Sequence, residues 1–487
     1  METKKEKIIV ISIVLIMVLW LLFPGVVLPA ETTGTLEKGK ITEKITCLQN
    51  SGETYALYLP STYSPAAPSP ILVAFDPGGK ALIPINLFKY AAEKYGYIVA
   101  CPYNSKNGPS LPVINAMKAT WIDLCSRLSI DKNRVFAVGF SGGSRVSTFF
   151  SMVIGNPVQG IIGIGAGLST SVTADFLKSI CYYGIVGYAD FNYSEMVQLE
   201  DVFKEMKIPH RFMYYDSPHR WPPEELALRA LEWMEIQSMK KGIRTKDNGL
   251  IQALYEKELK LAQERENSGD IFYAAGDYNA ISQNFEGLLP KEEITKISEK
   301  AQLLVKSQEY NKFKKDEIKR LDKEADYIQK FATAFEQLKN PEEMTSASMA
   351  ISRMGIRQLE KEMNDRSNPY NAGLAERLIY SVGAQAFANG ETYIEAKDFK
   401  HGESFMEIAL LTCKRSVYYP FALYDMATIY SQQKKKDKAL KTLREAVEKG
   451  ITNLAYIEQD KLLDPVRNTD EFKEIIALIK AKKEEKK

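Results

Sequence analysis

Arg134-Val135-Phe136-Ala137-Val138-Gly139-Phe140-Ser141-Gly142-Gly143 is the stretch on which the rest of the chain turns. Val135 to Phe140 is an apolar run with the length of a buried strand. It runs straight into Gly139-x-Ser141-x-Gly143, and Ser144 to Ile154 then reads as a helix. A serine on so sharp a strand-to-helix bend holds its hydroxyl clear of its neighbours, as a nucleophile must. Side chains two residues to either side would collide across the bend, so Gly139 and Gly143 are there for steric reasons. Gly142 leaves its backbone N–H free at the start of the helix, where it can face a developing negative oxygen.

An activated serine needs a base, and the chain has three histidines: His210, His219 and His401. His401 lies far down the chain in a charged helical region, and His210 opens the strand-like run to Tyr215. His219 follows that strand in Asp216-Ser-Pro-His219-Arg-Trp-Pro-Pro223, on a loop leaving a strand's carboxyl end, and is the candidate base. The acid that orients it should fall between serine and histidine. Asp190 does, just past the apolar run Cys181 to Gly187. Asp216 competes, but a carboxylate three residues before the histidine is better placed to shape its own turn.

A developing oxyanion needs a second donor beside Gly142. The strand Ile71–Asp76 ends in Asp76-Pro77-Gly78-Gly79, where glycines let the backbone approach a bound carbonyl. One N–H, from Gly78 or Gly79, would complete the pair. Gly78-Gly79-Lys80 lacks the spacing of a phosphate loop, so no nucleotide cofactor is implied.

Together these residues resemble the α/β-hydrolase superfamily, in particular the esterases grouped with polyhydroxybutyrate depolymerases and feruloyl or acetyl-xylan esterases. Tyr95-Gly-Tyr-Ile-Val99, Gly139 to Gly143, Asp190 and His219-Arg-Trp-Pro222 fall in register with the family pattern. The resemblance implies a Ser141–His219–Asp190 triad and hydrolysis of carboxylic esters. It departs at Asp76-Pro77, where the family has His-Gly, and at Pro218, where it has Gly before the base.

At 487 residues more than one domain is expected, and 45% hydrophobic residues is ordinary for globular protein. A net charge of +2 and the lack of any nucleic-acid motif give no reason to expect DNA or RNA as partner. Residues 1–30 carry Lys4, Lys5 and Lys7, an apolar run from Ile8 to Phe23, and a cut site after Ala30, the marks of a signal peptide. Uncleaved, the segment is nearly long enough to anchor the chain in a membrane. The protein is expected to be exported either way, periplasmic, secreted or tethered. Five scattered cysteines do not resemble a disulfide scaffold, and no spacing suggests a metal site.

From Lys40 to Pro60 the pattern is an antiparallel hairpin; strands and helices then alternate to Met239. That alternation predicts a doubly wound, mostly parallel α/β sheet over residues 35–240, with Ser141, Asp190, His219 and Gly78 all at strand carboxyl ends. The short connection from Ala166 to Ser179 leaves no room for a cap, so an open site is expected, suited to an ester on a large or polymeric substrate. Residues 241–250 read as a polar basic linker, and 251–480 as an all-α domain. Over 421–450, Leu423, Met426, Ala427, Tyr430, Ala439, Leu443 and Ala446 resemble a tetratricopeptide repeat. Weaker matches start at Gly276 and Gly402, and stacked repeats of this kind imply a protein partner. Three functions remain open on sequence: an esterase, a serine peptidase with the same triad, and a non-catalytic scaffold that binds through the repeats.

Overall fold

The structure is a computed structural model and describes residues 36–484, apart from 156–157, 170–171, 341–345, 415 and 417. The expected signal or anchor, residues 1–30, lies outside the described residues. No helix among the described residues is long and apolar enough to cross a membrane.

Eight strands make one sheet: β1 (Lys40–Cys47), β2 (Asn50–Leu59), β3 (Ser69–Phe75), β4 (Ile98–Pro102), β5 (Ile130–Phe140), β6 (Gly160–Ile164), β7 (Cys181–Ala189) and β8 (His210–Pro218). Their order across the sheet is β1-β2-β4-β3-β5-β6-β7-β8. β1 and β2 form an antiparallel hairpin, β2 runs antiparallel to β4, and the pairings from β4 to β8 are parallel. Parallel neighbours need crossovers, which the helices supply. These are α1 (Leu82–Tyr95), α2 (Ser110–Arg127), α3 (Gly142–Ile154), α4 (Ala174–Ser179) and α5 (Tyr193–Met206), with α6 (Glu224–Lys240) closing the layer after β8.

The central strands are apolar along their whole length because both faces are covered. In β3, Ile71, Val73 and Phe75 point into one core with Met117 and Trp121 of α2 and Phe150 of α3. Leu72 and Ala74 point the other way, against Phe88 of α1 and Leu231 and Met234 of α6. Each fully buried large side chain of this kind stabilises the fold by about 1.5–3 kcal/mol.

Every described element after α6 is helical: α7 (Asn248–Asn267), α8 (Ile271–Phe285), α9 (Lys291–Val305), α10 (Gln308–Lys339), α11 (Ala347–Met354), α12 (Ile356–Asn364), α13 (Pro369–Glu395), α14 (Phe399–Thr412), α15 (Tyr419–Gln432), α16 (Lys436–Glu448), α17 (Leu454–Gln459), α18 (Asp470–Glu484) and one short 3-10 turn. The fold is therefore the α/β-hydrolase sheet followed by an all-helical part. The stretch read as a linker is largely tied down: Arg244 pairs with Glu235, Lys246 Nζ donates to the Gly287 carbonyl at 3.1 Å, and Asp247 caps α7. The clearest repeat-like segment is the α15–α16 hairpin, which buries Leu423, Ala427, Ala439, Leu443 and Ala446 together. The weaker matches fall inside α14 and α8.

The helical part docks on the sheet through α13. Gly373 lies flat on Tyr188, near the end of β7; a Cβ there would come within 2.9 Å of its backbone. One turn on, Arg377 donates from Nη1 to the Tyr188 carbonyl at 2.8 Å and grips Glu324 of α10 with two hydrogen bonds of 2.9 and 2.7 Å. Ser194 at the start of α5 donates to the same carboxylate at 2.6 Å.

Candidate active site

Ser141 sits between β5 and α3 with φ 54° and ψ −125°, a conformation that costs an L-residue about 1–3 kcal/mol and persists only when its surroundings impose it. Its N–H donates to the Ile164 carbonyl of β6 at 2.8 Å, and its own carbonyl accepts from Ser144 N–H at 2.9 Å. The flanking glycines leave no alternative. A Cβ on Gly139 would lie 2.0 Å from the Gly143 carbonyl oxygen, and one on Gly143 would lie 2.1 Å from that of Phe75. Ser144 then locks α3 to the loop after β6, its hydroxyl donating to the Ala166 carbonyl at 2.8 Å.

His219 Nδ1 lies 2.9 and 2.8 Å from the two carboxylate oxygens of Asp190. Asp190 is 1% exposed, in the turn after β7, and its Oδ1 also accepts from Asn192 N–H at 2.9 Å. A carboxylate on Nδ1 fixes the tautomer with the proton there and leaves the Nε2 lone pair available as a base. Asp216 is exposed on β8, and no hydrogen bond among the described residues joins it to the ring. The reach of His219 comes from a β-bulge. Gly187 pairs with Tyr215 but Ala189 pairs with Pro218, so β8 carries one more residue than β7 over that interval.

Ser141 and His219 line one cavity of about 1080 Å³. No hydrogen bond joins the serine hydroxyl to the ring among the described residues; catalytic contacts of this kind commonly tighten only in the substrate complex. The imidazole is held between two rings, Phe140 at 4.5 Å and Phe191 at 4.1 Å between centroids.

Gly142 opens the first turn of α3 directly after Ser141, but the expected second donor is not free. Gly78 N–H donates to Asp76 Oδ1 at 2.9 Å and Gly79 N–H to the Asp76 carbonyl at 3.1 Å. Lys80 N–H also donates to Oδ1, at 2.8 Å, and Trp221 Nε1 to Oδ2, at 2.9 Å. Aspartate at 76 thus organises its own turn and captures the N–H groups expected to serve the oxyanion.

The short β6–β7 connection carries only α4, yet the cavity is not built from the sheet domain alone. Glu376, Ile379 and Tyr380 of α13, Leu411 of α14 and Tyr418, all from the helical part, line it together with Ser141. Tyr380 stacks on Phe191 with 5.2 Å between centroids and 3° between planes. Burial pushes its phenol well up, so it stays neutral.

The other histidines are elsewhere. His210 Nδ1 contacts the Ile208 carbonyl at 2.6 Å, and burial lowers its basicity; His401 pairs with Asp398 at 2.6 Å on α14. All five cysteines are free. Two supporting residues escaped the sequence reading. Gly165, at φ +60°, is where a Cβ would fall 2.8 Å from Asp190 Oδ2 and 3.2 Å from His219 Cε1. Asn192 ties the acid's turn to it, Nδ2 donating to the Gly165 carbonyl at 2.6 Å. The sequence offers only a glycine directly after the apolar run of β6 as a pointer to Gly165, and none to Asn192.

No family model matches the chain, and no curated protein is similar to it. Solved structures to which it is similar include the apoenzyme of S-formylglutathione hydrolase FrmB from Staphylococcus aureus (13% identity over 37% of this chain and 90% of that one, TM-score 0.31). A ferulic acid esterase (10%, 40% and 97%, 0.33) and an inhibited esterase B of Lactobacillus rhamnosis (14%, 42% and 90%, 0.35) are others. What this site can do is decided by its own geometry.

Proposed function

We propose that the chain is a serine hydrolase of carboxylic esters. The observation that carries this reading is the buried Asp190 carboxylate on Nδ1 of His219, a ring whose other nitrogen shares a cavity with a serine on a strained elbow. In this reading Nε2 of His219 takes the Ser141 proton as Oγ bonds to the carbonyl carbon. It returns the proton to the leaving alcohol, and a water then repeats the sequence on the acyl-enzyme. Asp190 holds the tautomer and stabilises the imidazolium.

The walls bear on the substrate. The cavity is lined by Phe140, Phe191, Trp221, Ile83 and Tyr380, together with Lys80, Arg220 and Lys414. A cavity lined from both the sheet and the helical part, with this make-up, favours an ester on a discrete molecule with an apolar or aromatic portion over the face of a polymer. Residues 1–30 are proposed to export or tether the enzyme, which fractionation of cells making the full chain would test.

The deciding experiment is labelling of the purified protein with a fluorophosphonate, followed by a panel of acyl esters, peptide amides and insoluble polyesters. Labelling of Ser141 with turnover of soluble esters supports the reading. Absence of labelling would leave the scaffold reading, and preferential cleavage of amides would make it a peptidase.

A further inference from the structure

We propose that the side-chain amide of Asn107 is the second oxyanion donor of this site, opposite Gly142 N–H; the proposal rests on the ester-hydrolase reading of Ser141. A tetrahedral oxyanion is stabilised by donors already in position, and one backbone N–H is half of what such a site uses. The loop after β3 cannot readily supply the other half. Pro77 has no N–H, and those of Gly78, Gly79 and Lys80 all donate to Asp76. Asp76 is 4% exposed and is held from the far side by Trp221, so freeing the Gly78 N–H would take a partner from a buried carboxylate, and freeing that of Gly79 would break the turn's bond to the Asp76 carbonyl.

Asn107 lies where the missing donor is needed. A Cβ built on Gly142 would fall 1.9 Å from its Oδ1, 2.7 Å from its Cγ and 2.9 Å from its Nδ2, so the amide lies directly on the residue that supplies the first donor. That contact also explains why position 142 is glycine. Neither end of the amide has a hydrogen-bond partner among the described residues, and Asn107 lines the same cavity as Ser141 and His219. Which end faces inward is a half-turn about the terminal torsion, so Nδ2 can be presented without moving the backbone. The backbone is pinned: Asn107 N–H donates to the Pro77 carbonyl at 2.8 Å, and Gly79, at φ +68°, lets the two loops close to where a Cβ would meet the Tyr103 carbonyl at 2.2 Å.

As Ser141 Oγ bonds to the ester carbon, the carbonyl π pair moves onto oxygen, and the serine proton passes to His219. Nδ2–H of Asn107 and N–H of Gly142 donate to that oxygen. The C=O bond then re-forms, the C–O bond to the alcohol breaks, and the departing oxygen takes the proton from His219.

The full-length protein, Asn107→Ala, the isosteric Asn107→Asp and Ser141→Ala are compared on a p-nitrophenyl ester, with a boronic acid as transition-state analogue and the product carboxylate as ground-state ligand. The expected result is a fall in kcat of about 10²–10³-fold in both Asn107 variants, with KM within about threefold. Boronic acid affinity falls with it while carboxylate affinity holds. Asn107→Asp keeps the shape, so a thermal midpoint matching wild type separates lost chemistry from lost fold. Either Asn107 variant retaining kcat within about threefold of wild type, while Ser141→Ala is inactive, overturns the proposal alone. So does a rise in KM with boronic acid affinity unchanged. Full activity in Ser141→Ala overturns the reading beneath it.

Discussion

Tyr380 of α13 lies parallel to Phe191, 3° between ring planes, and Phe191 in turn lies against His219 at 4.1 Å. The candidate base is therefore braced by a residue 161 positions away, on the helical part of the chain. Aromatic pairs of this kind contribute about 0.5–1.5 kcal/mol beyond the area they bury. Tyr380→Ala should lower kcat/KM by about tenfold at most through loss of that brace, whereas Tyr380→Phe keeps the stacked ring and should stay near wild type. Steady-state kinetics on one soluble ester checks both.

Ser141→Ala should remove turnover by several orders of magnitude and abolish fluorophosphonate labelling, with the far-UV circular dichroism unchanged. Asp190→Asn keeps the shape but presents the wrong partner to Nδ1, and should cost about 10³–10⁴-fold in kcat. Wild-type activity in Asp190→Asn would return the orienting role to another carboxylate.

Arg377 and Glu324 are both nearly inaccessible, and both also bond to the sheet domain, at Tyr188 and Ser194. Removing one partner leaves a buried charge, which typically costs about 3–5 kcal/mol. Arg377→Met should lower the urea midpoint markedly, and the double variant Arg377→Met with Glu324→Leu should recover much of the loss. Equal midpoints for single and double variants would show that the charge pair is not what the interface needs.

Asp425 on α15 is pushed up to about 7 by burial, then by the charges of Glu391 and Asp460, and its Oδ2 is buried without a hydrogen-bond partner. The ordinary unfolded value is about 3.9. A carboxyl that ionises less readily in the folded state favours folding while protonated. That advantage is complete below about pH 4 and is lost as pH rises through about 7. Asp425→Asn should therefore raise the thermal midpoint at pH 8 and gain little at pH 4.5. The difference corresponds to at most about 4 kcal/mol, and less for the contact the side chain keeps with water. Melting curves at the two pH values decide it; a pH-independent gain would point to packing instead.

The sheet was legible because its strands are continuous apolar runs closed by glycine or proline, and such runs have few other places to go. The sequence pattern ends β8 at Tyr215, since Asp216-Ser217-Pro218 looks like loop; across a bulge Pro218 still pairs with Ala189 of β7. β5 likewise starts at Ile130, ahead of the polar stretch from Asp131 to Arg134. Ser141, Asp190 and His219 were legible as candidates because each follows a strand, Ser141 is marked by its glycine spacing, and His219 is one of only three histidines. The helical wall of the cavity was not. The helices from α7 onward are amphipathic and highly charged, and their periodicity says that one face is buried without saying against what. The turn at Asp76 was hidden for a different reason: Gly-Gly advertises free N–H groups, and only the folded turn reveals that the Asp76 carboxylate takes one and its carbonyl the other.

The extra residue in β8 makes strand length part of the chemistry. Side chains alternate from face to face with each step along a strand. Deleting one residue between Asp216 and Pro218 would erase the bulge and turn the imidazole away from Asp190 without altering any side chain of the site. Homologues that vary in length at this position would thus be hydrolases in outline only, and an aligned Ser, Asp and His would not by themselves certify a working enzyme.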